Sequence, residues 1–206
     1  PILSVPEDVT VECNQDVSPD STGEATATDD CTSPSVSFTD SETQQCGNTK
    51  TIIRTWTATD TCGNSTSAEQ TITVVDTTAP TFTVPEDLTI ECDVDVNDLS
   101  ITGDVIDEAD NCATNLEATY SDSVTEGSCA NESIITRTWS LTDECGNATA
   151  QTQIITVTDS IAPIIDSTNL ENIQIQCGAS SEDTLENWLD NNAGATATDN
   201  CGNVTW

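Results

Sequence analysis

"TIIRTWTATDTCGN", residues 51–64, sets a period of two. Ile52, Arg54, Trp56 and Ala58 fall on one face, and Ile53, Thr55, Thr57 and Thr59 on the other. That alternation over ten residues, rich in β-branched side chains, reads as a half-buried strand rather than a helix. Asp60, Gly63 and Asn64 then supply turn chemistry. The stretch returns as "IITRTWSLTDECGN" at 134–147, where Ile135, Arg137, Trp139 and Leu141 share a face.

Working outward, the rest of the chain repeats in the same register. "PILSVPEDVTVEC" (1–13) matches "APTFTVPEDLTIEC" (79–92), "QTITVVDTTAP" (70–80) matches "QIITVTDSIAP" (153–163), and "ATATDDC" (25–31) returns as "ATATDNC" (195–201). Cys13, Cys31, Cys46 and Cys62 map onto Cys92, Cys112, Cys129 and Cys145, and Cys177 and Cys201 open a third copy. The repeats are therefore residues 1–79, 80–162 and 163–206, the last read as cut off in mid-repeat and the whole as a piece of a longer array. About seven short strands per repeat predict an all-β fold of tandem immunoglobulin-like β-sandwich repeats, crosslinked by disulfides. The third repeat departs: Leu185, Trp188 and Leu189 fall at helical spacing within Ser181–Asn192. With Ser180 or Ser181 to cap its start and Gly194 its end, a short helix is expected there. Trp188 would pack it onto the sandwich.

Composition narrows the function. The 37 acids against 3 bases give a formal charge of −34. Phosphate binding needs clustered Lys and Arg, so nucleic acid is excluded, and an anionic membrane surface is disfavoured. No apolar run reaches the ~18–20 residues of a membrane span. No signal peptide stands at Pro1, so any targeting segment is expected to have been removed or to lie outside this stretch. Ten cysteines with no histidine and no CxxC pair point to disulfides in an oxidising compartment rather than zinc. Without histidine no Ser–His or Cys–His nucleophile can be assembled, so no enzyme is expected.

The ordered motifs "DTTAP", "VPEDLTIEC", "ATATDNC" and "TRTWSLTDECGN" resemble hyalin-like (HYR-like) repeats of large cell-surface proteins of Bacteroidota, including gliding-motility adhesins. The resemblance covers essentially the whole chain. It implies an immunoglobulin-like fold, tandem arrays, an extracellular place on a bacterial cell surface, adhesion, and export by the type IX route.

Strand direction alternates in such a sandwich. It puts Cys13 and Cys46 at one pole and Cys31 and Cys62 at the other. Four cysteines permit three pairings per repeat. Same-pole partners give Cys13–Cys46, Cys31–Cys62, Cys92–Cys129 and Cys112–Cys145, and leave Cys177 and Cys201 without mates.

Some acids recur at fixed positions: Asp29, Asp110 and Asp199; Asp60 and Asp143; the linker residues Asp76 and Asp159; and Glu7 and Glu86 after a proline, with Glu171 in the same place. The topology brings Asp76 towards Asp110 and Asp143, and Asp159 towards Asp199. Carboxylates so gathered repel unless a cation intervenes, and calcium takes hard oxygen ligands of this kind. Calcium is the expected cofactor, with Asp76, Asp110, Asp143, Asp159, Asp199, Asp29, Asp60 and Glu86 as candidate ligands. Turn capping by each aspartate is the competing reading.

A buried guanidinium needs an anion, so Arg54–Asp40 and Arg137–Asp122 are expected pairs. The alternative is an arginine stem reaching the sandwich edge. Trp56 and Trp139 read as core. The functional expectation is a stalk segment of a secreted adhesin, stiffened by disulfides and calcium between neighbouring repeats of the same chain, presenting a distal binding region. The alternatives are repeats that themselves bind an extracellular surface or glycan, and a spacer on a secreted hydrolase.

Overall fold

The computed structural model describes residues 1–129, 131–174 and 181–205. The first repeat begins with β1 (Ile2–Ser4) and β2 (Val9–Glu12), followed by one helical turn, α1 (Pro19–Thr22), and β3 (Thr26–Thr28). It ends with the long strands β4 (Ser35–Gln44), β5 (Lys50–Thr59) and β6 (Ser65–Val75). The chain then repeats the plan: β7 (Thr81–Thr83), β8 (Leu88–Glu91), α2 (Leu99–Thr102), β9 (Ile106–Ala109), β10 (Thr119–Glu126), β11 (Ser133–Thr142) and β12 (Ala148–Thr158). The third copy contributes β13 (Ile164–Asp166), α3 (Ser181–Asp190) and β14 (Thr196–Thr198).

Each full repeat is a four-stranded sheet faced by a two-stranded one. The larger sheets run β2-β6-β5-β4 and β10-β11-β12-β8, and the smaller pairs are β1-β3, β7-β9 and β13-β14. The chain thus enters in the small sheet and crosses at Pro6 or Pro85 to the large one. There β2 lies parallel to β6, and β8 parallel to β12. Proline lacks the N–H that a continuous strand would need, so the crossing falls where the ladder must break anyway.

The described residues fall into two compact units. One holds Pro1–Thr83, Val105–Thr119 and Trp139–Gln151. The other holds Val84–Asp104, Tyr120–Thr138 and Thr152–Trp206. In the first, Ile52, Ile72 and Val74 form a core with Val9, Val11 and Val17 against it; in the second, Ile90, Ile135 and Ile155 do so with Leu88, Val94 and Val96. Trp56 and Trp139 are buried, at 4% and 1% exposure.

Within each core one arginine is sealed in. Arg54 faces Asp40 directly across the β4–β5 ladder. Its Nε and Nη2 donate to the two Asp40 oxygens at 2.9 Å each, Nη2 also reaches the Val17 carbonyl at 2.9 Å, and Nη1 donates to Thr22 Oγ1 at 3.0 Å. Arg137 repeats this with Asp122, Val96 and Thr102 at the same distances. Phe38 and Tyr120 lie under the two guanidinium groups, at 4.6 and 4.0 Å. β4 continues well past Asp40, so that carboxylate sits mid-strand rather than at a strand end.

The one-turn helices α1 and α2 were invisible as hydrophobic periodicity, and the arginines explain them. Each presents a buried threonine to the guanidinium and a carbonyl to a buried glutamine: Gln70 Nε2 donates to Thr22 O at 2.8 Å, Gln153 Nε2 to Thr102 O at 2.7 Å. Each turn ends on a glycine, Gly23 or Gly103, with φ of +100° and +87°. A Cβ at either would lie 2.8 or 2.7 Å from Pro6 or Pro85, so both the conformation and the space require glycine. In the third copy the same place holds the ten-residue α3. Trp188 Nε1 donates to the Glu171 carbonyl at 2.8 Å. Ser180 lies outside the described residues, as does the side chain of Ser181.

Candidate functional site

The cysteines overturn the pairing expected from pole geometry. The bonds are Cys13–Cys112, Cys46–Cys145 and Cys92–Cys201, each joining one repeat to the next, with Cα–Cα distances of 5.7, 5.1 and 5.5 Å. Cys13–Cys46, Cys31–Cys62, Cys92–Cys129 and Cys112–Cys145 do not form; Cys31, Cys62 and Cys129 are free and exposed. Cys201, expected to lack a mate, bonds Cys92. Cys177 lies outside the described residues.

The reason is the width of the sheet. Cys13 follows β2 at one edge, and Cys46 lies in the β4–β5 hairpin towards the other. Two to three interstrand spacings of about 4.8 Å separate them, roughly 10–14 Å, whereas a bridge needs Cα atoms about 4.4–6.8 Å apart. The linker from Asp76 to Pro80 is short, so the sulfur of the following repeat is nearer than the one across the sheet.

Around these bridges the repeats interlock through backbone-directed contacts. Asn48 Nδ2 donates to the Cys112 carbonyl, and Asn131 Nδ2, its counterpart, to the Cys201 carbonyl. Asn111 and Asn200 each direct a side-chain N–H to a bridging sulfur, of Cys13 and Cys92. Asn147 Nδ2 donates to the Asp76 carbonyl at 3.2 Å.

Beside the first two bridges, carboxylate oxygens of Asp76, Asp110 and Asp143 lie within 4.8 Å of one another. Each aspartate also caps a turn. Asp110 Oδ2 accepts from the N–H groups of Cys112 and Ala113 at 2.7 and 2.8 Å. Asp143 Oδ1 accepts from those of Cys145 and Asn147 at 2.8 and 2.9 Å. Capping and cation binding are therefore not exclusive: capping holds one oxygen of Asp76 and of Asp110 and leaves the other, whereas Asp143 Oδ2 also accepts from Asn147 Nδ2 at 2.8 Å. Asp110 Oδ1 is buried and has no hydrogen-bond partner among the described residues.

The charges register the crowding. Burial raises the Asp76 carboxyl above its ordinary value; a hydrogen bond from Thr78 opposes this, while the charges of Asp110, Asp143 and Glu12 add to it. Burial also pushes Asp143 up, but hydrogen bonds from Asn147, Cys145 and Gly146 outweigh it and hold that group below its ordinary value.

Asp159 and Asp199 line one open cavity of about 490 Å³. Asp29 and Asp60 cap the leading loops of the first repeat, accepting from the N–H of Cys31 at 3.0 Å and of Cys62 at 2.9 Å. Glu86 is not brought into any carboxylate group among the described residues. Its recurring position is used through the backbone: the carbonyls of Glu7, Glu86 and Glu171 accept from Gln70, Gln153 and Trp188. The glutamates near the junctions are instead Glu12 and Glu91, grouped with Asp76 and Cys112, and with Asp159 and Cys201. Sequence reasoning missed both, although each recurs in the Glu-Cys pair that ends a "V-E-C" or "I-E-C" strand. The sulfurs in those groups are bridged and offer no thiolate, which leaves carboxylate chemistry.

The chain is thus a run of β-sandwich modules covalently tied to their neighbours. Residues 1–74 match the family model of the HYR-like domain with four cysteines. Among solved structures, the human Desmocollin-1 ectodomain is similar at 14% identity with a TM-score of 0.27, over 62% of this chain and 31% of that one. The chain spans under a third of that ectodomain's length. No curated protein matches. HYR-like modules rich in disulfides are extracellular, adhesion-type domains and typically non-enzymatic. No described helix is long and apolar enough to cross a membrane.

Proposed function

We propose that this chain is a force-carrying stalk segment of an extracellular surface adhesin. It is stiffened where repeats meet by disulfides and by calcium, and it holds a distal binding region away from a bacterial cell, with gliding as one setting. The observation that carries the cation is the buried, unpartnered Asp110 Oδ1 among the gathered carboxylates of Asp76, Asp110 and Asp143. A hard divalent cation would offset their repulsion, and the Asp76 and Asp110 oxygens left over from turn capping are the donors calcium prefers. Trp56 and Trp139 are buried and leave no platform of theirs for a sugar to stack on.

Isothermal titration of the chain with calcium tests the reading. Heat is expected at roughly 10⁻⁴–10⁻³ M, the range of extracellular modules. Asp76→Asn and Asp110→Asn should lose it, and Glu86→Gln should keep it. No calcium heat at millimolar concentration would end the cation half of the proposal.

A further inference from the structure

The leading end of the first repeat carries two exposed free thiols, Cys31 and Cys62. Their counterparts in the second repeat are Cys112 and Cys145, both bonded to the preceding repeat. In the third, Cys201 is bonded in the same way. The local frame is the same each time. Asp29 and Asp60 hold the N–H of Cys31 and Cys62, as Asp110 and Asp143 hold those of Cys112 and Cys145. Hydrogen bonds from Asn64 and Cys62 hold the Asp60 carboxyl below its ordinary value, and burial and the charge of Asp29 oppose this.

We infer that the Cys31/Cys62 end is a covalent docking face for the trailing end of another repeat of this same type. The first-position cysteine of that repeat, counterpart of Cys13, bonds Cys31. The third-position cysteine, counterpart of Cys46, bonds Cys62. A linker aspartate in the place of Asp76 joins Asp29 and Asp60. One residue differs: Asp30 stands where Asn111 and Asn200 direct their N–H to the bridging sulfur. Each bond forms when two thiols lose two protons and two electrons to glutathione disulfide, which leaves as two glutathione molecules. The inference rests on the covalent junction and not on calcium, so either can fail alone.

The test has two arms. In the native 206-residue chain, iodoacetamide should label Cys31 and Cys62 and spare the six bridged cysteines. A bond between Cys31 and Cys62, or failure of both to react, overturns the inference whatever the second arm gives. In the second arm a further copy of residues 1–79 is placed before Pro1, which keeps the natural joint because Pro1 and Pro80 correspond. After refolding in a glutathione buffer, labelling of both thiols should fall by about tenfold or more, since only a free thiolate is alkylated. Changing Cys13→Ser in the added copy should restore labelling at Cys31 alone, and Cys46→Ser at Cys62 alone. Full labelling of both thiols in the folded, extended chain would overturn the inference.

Discussion

Because the bridges run between repeats, a pulled chain has a covalent shortcut. Hold the protein at Pro1 and Trp206, as in single-molecule force spectroscopy. The shortest bonded path takes twelve peptide steps from Pro1 to Cys13 and crosses to Cys112. It runs back twenty steps to Cys92, crosses to Cys201, and ends five steps later. At about 3.5 Å per residue, plus the two crossings, full extension stops near 140 Å. Strands β3 to β6 lie off this path and are never loaded in line. With reductant the whole chain becomes available, and the limit rises to about 720 Å. Bridges closed within each repeat would give a third value. The path would then run from Pro1 to Cys13, Cys46 to Cys92, and Cys129 to Trp206, through twelve, forty-six and seventy-seven steps. That corresponds to about 480 Å. A limit near 480 Å in the oxidised chain would refute the reasoning, and so would one unchanged by reductant.

Other expectations follow from the same contacts. Arg137→Ala leaves Asp122, Thr102 and the Val96 carbonyl without their shared donor; it should destabilise the fold by about 3–5 kcal/mol in chemical denaturation, as breaking a buried pair does. Gly23→Ala should cost about 1–3 kcal/mol, from a positive φ and the approach of Pro6, while the exposed Ser37→Ala should be near neutral. Without calcium, Asp76 should titrate above its ordinary 3.8 by carbon-detected NMR. A raised folded value means the folded state prefers the protonated acid. This group's contribution therefore improves as pH falls through its folded value and levels off below 3.8. Asp143 has the opposite sign: its lowered value stabilises above 3.8 and is lost as pH falls through its folded value. Saturating calcium should abolish the Asp76 rise.

Much of the architecture was legible because the strand period is exposed in the letters. Ile52, Arg54, Trp56 and Ala58 share a face in the chain as they do in the text, and the cysteine register marked each repeat. Two things were hidden. Helices α1 and α2 are single turns, too short for a 3.6-residue period to show, and they exist to present Thr22 and Thr102 to buried arginines. The disulfide partners were hidden because spacing says which pole a cysteine occupies but not how wide the sheet is, nor how close the next repeat comes. The carboxylates lay between these cases. The fixed positions of Asp76, Asp110 and Asp143 could be read off. That Glu86 serves through its carbonyl, and that Glu12 sits beside Asp76, could not, because a recurring residue does not reveal which of its atoms is used.

Peptic digestion at low pH, which halts thiol exchange, followed by mass spectrometry without reduction, would read the crosslinks themselves. Peptides joining Cys13 to Cys112, Cys46 to Cys145 and Cys92 to Cys201 are the expected products. Peptides joining Cys13 to Cys46 or Cys92 to Cys129 would mean that each module is sealed on itself, and the covalent chain of repeats described above would not exist.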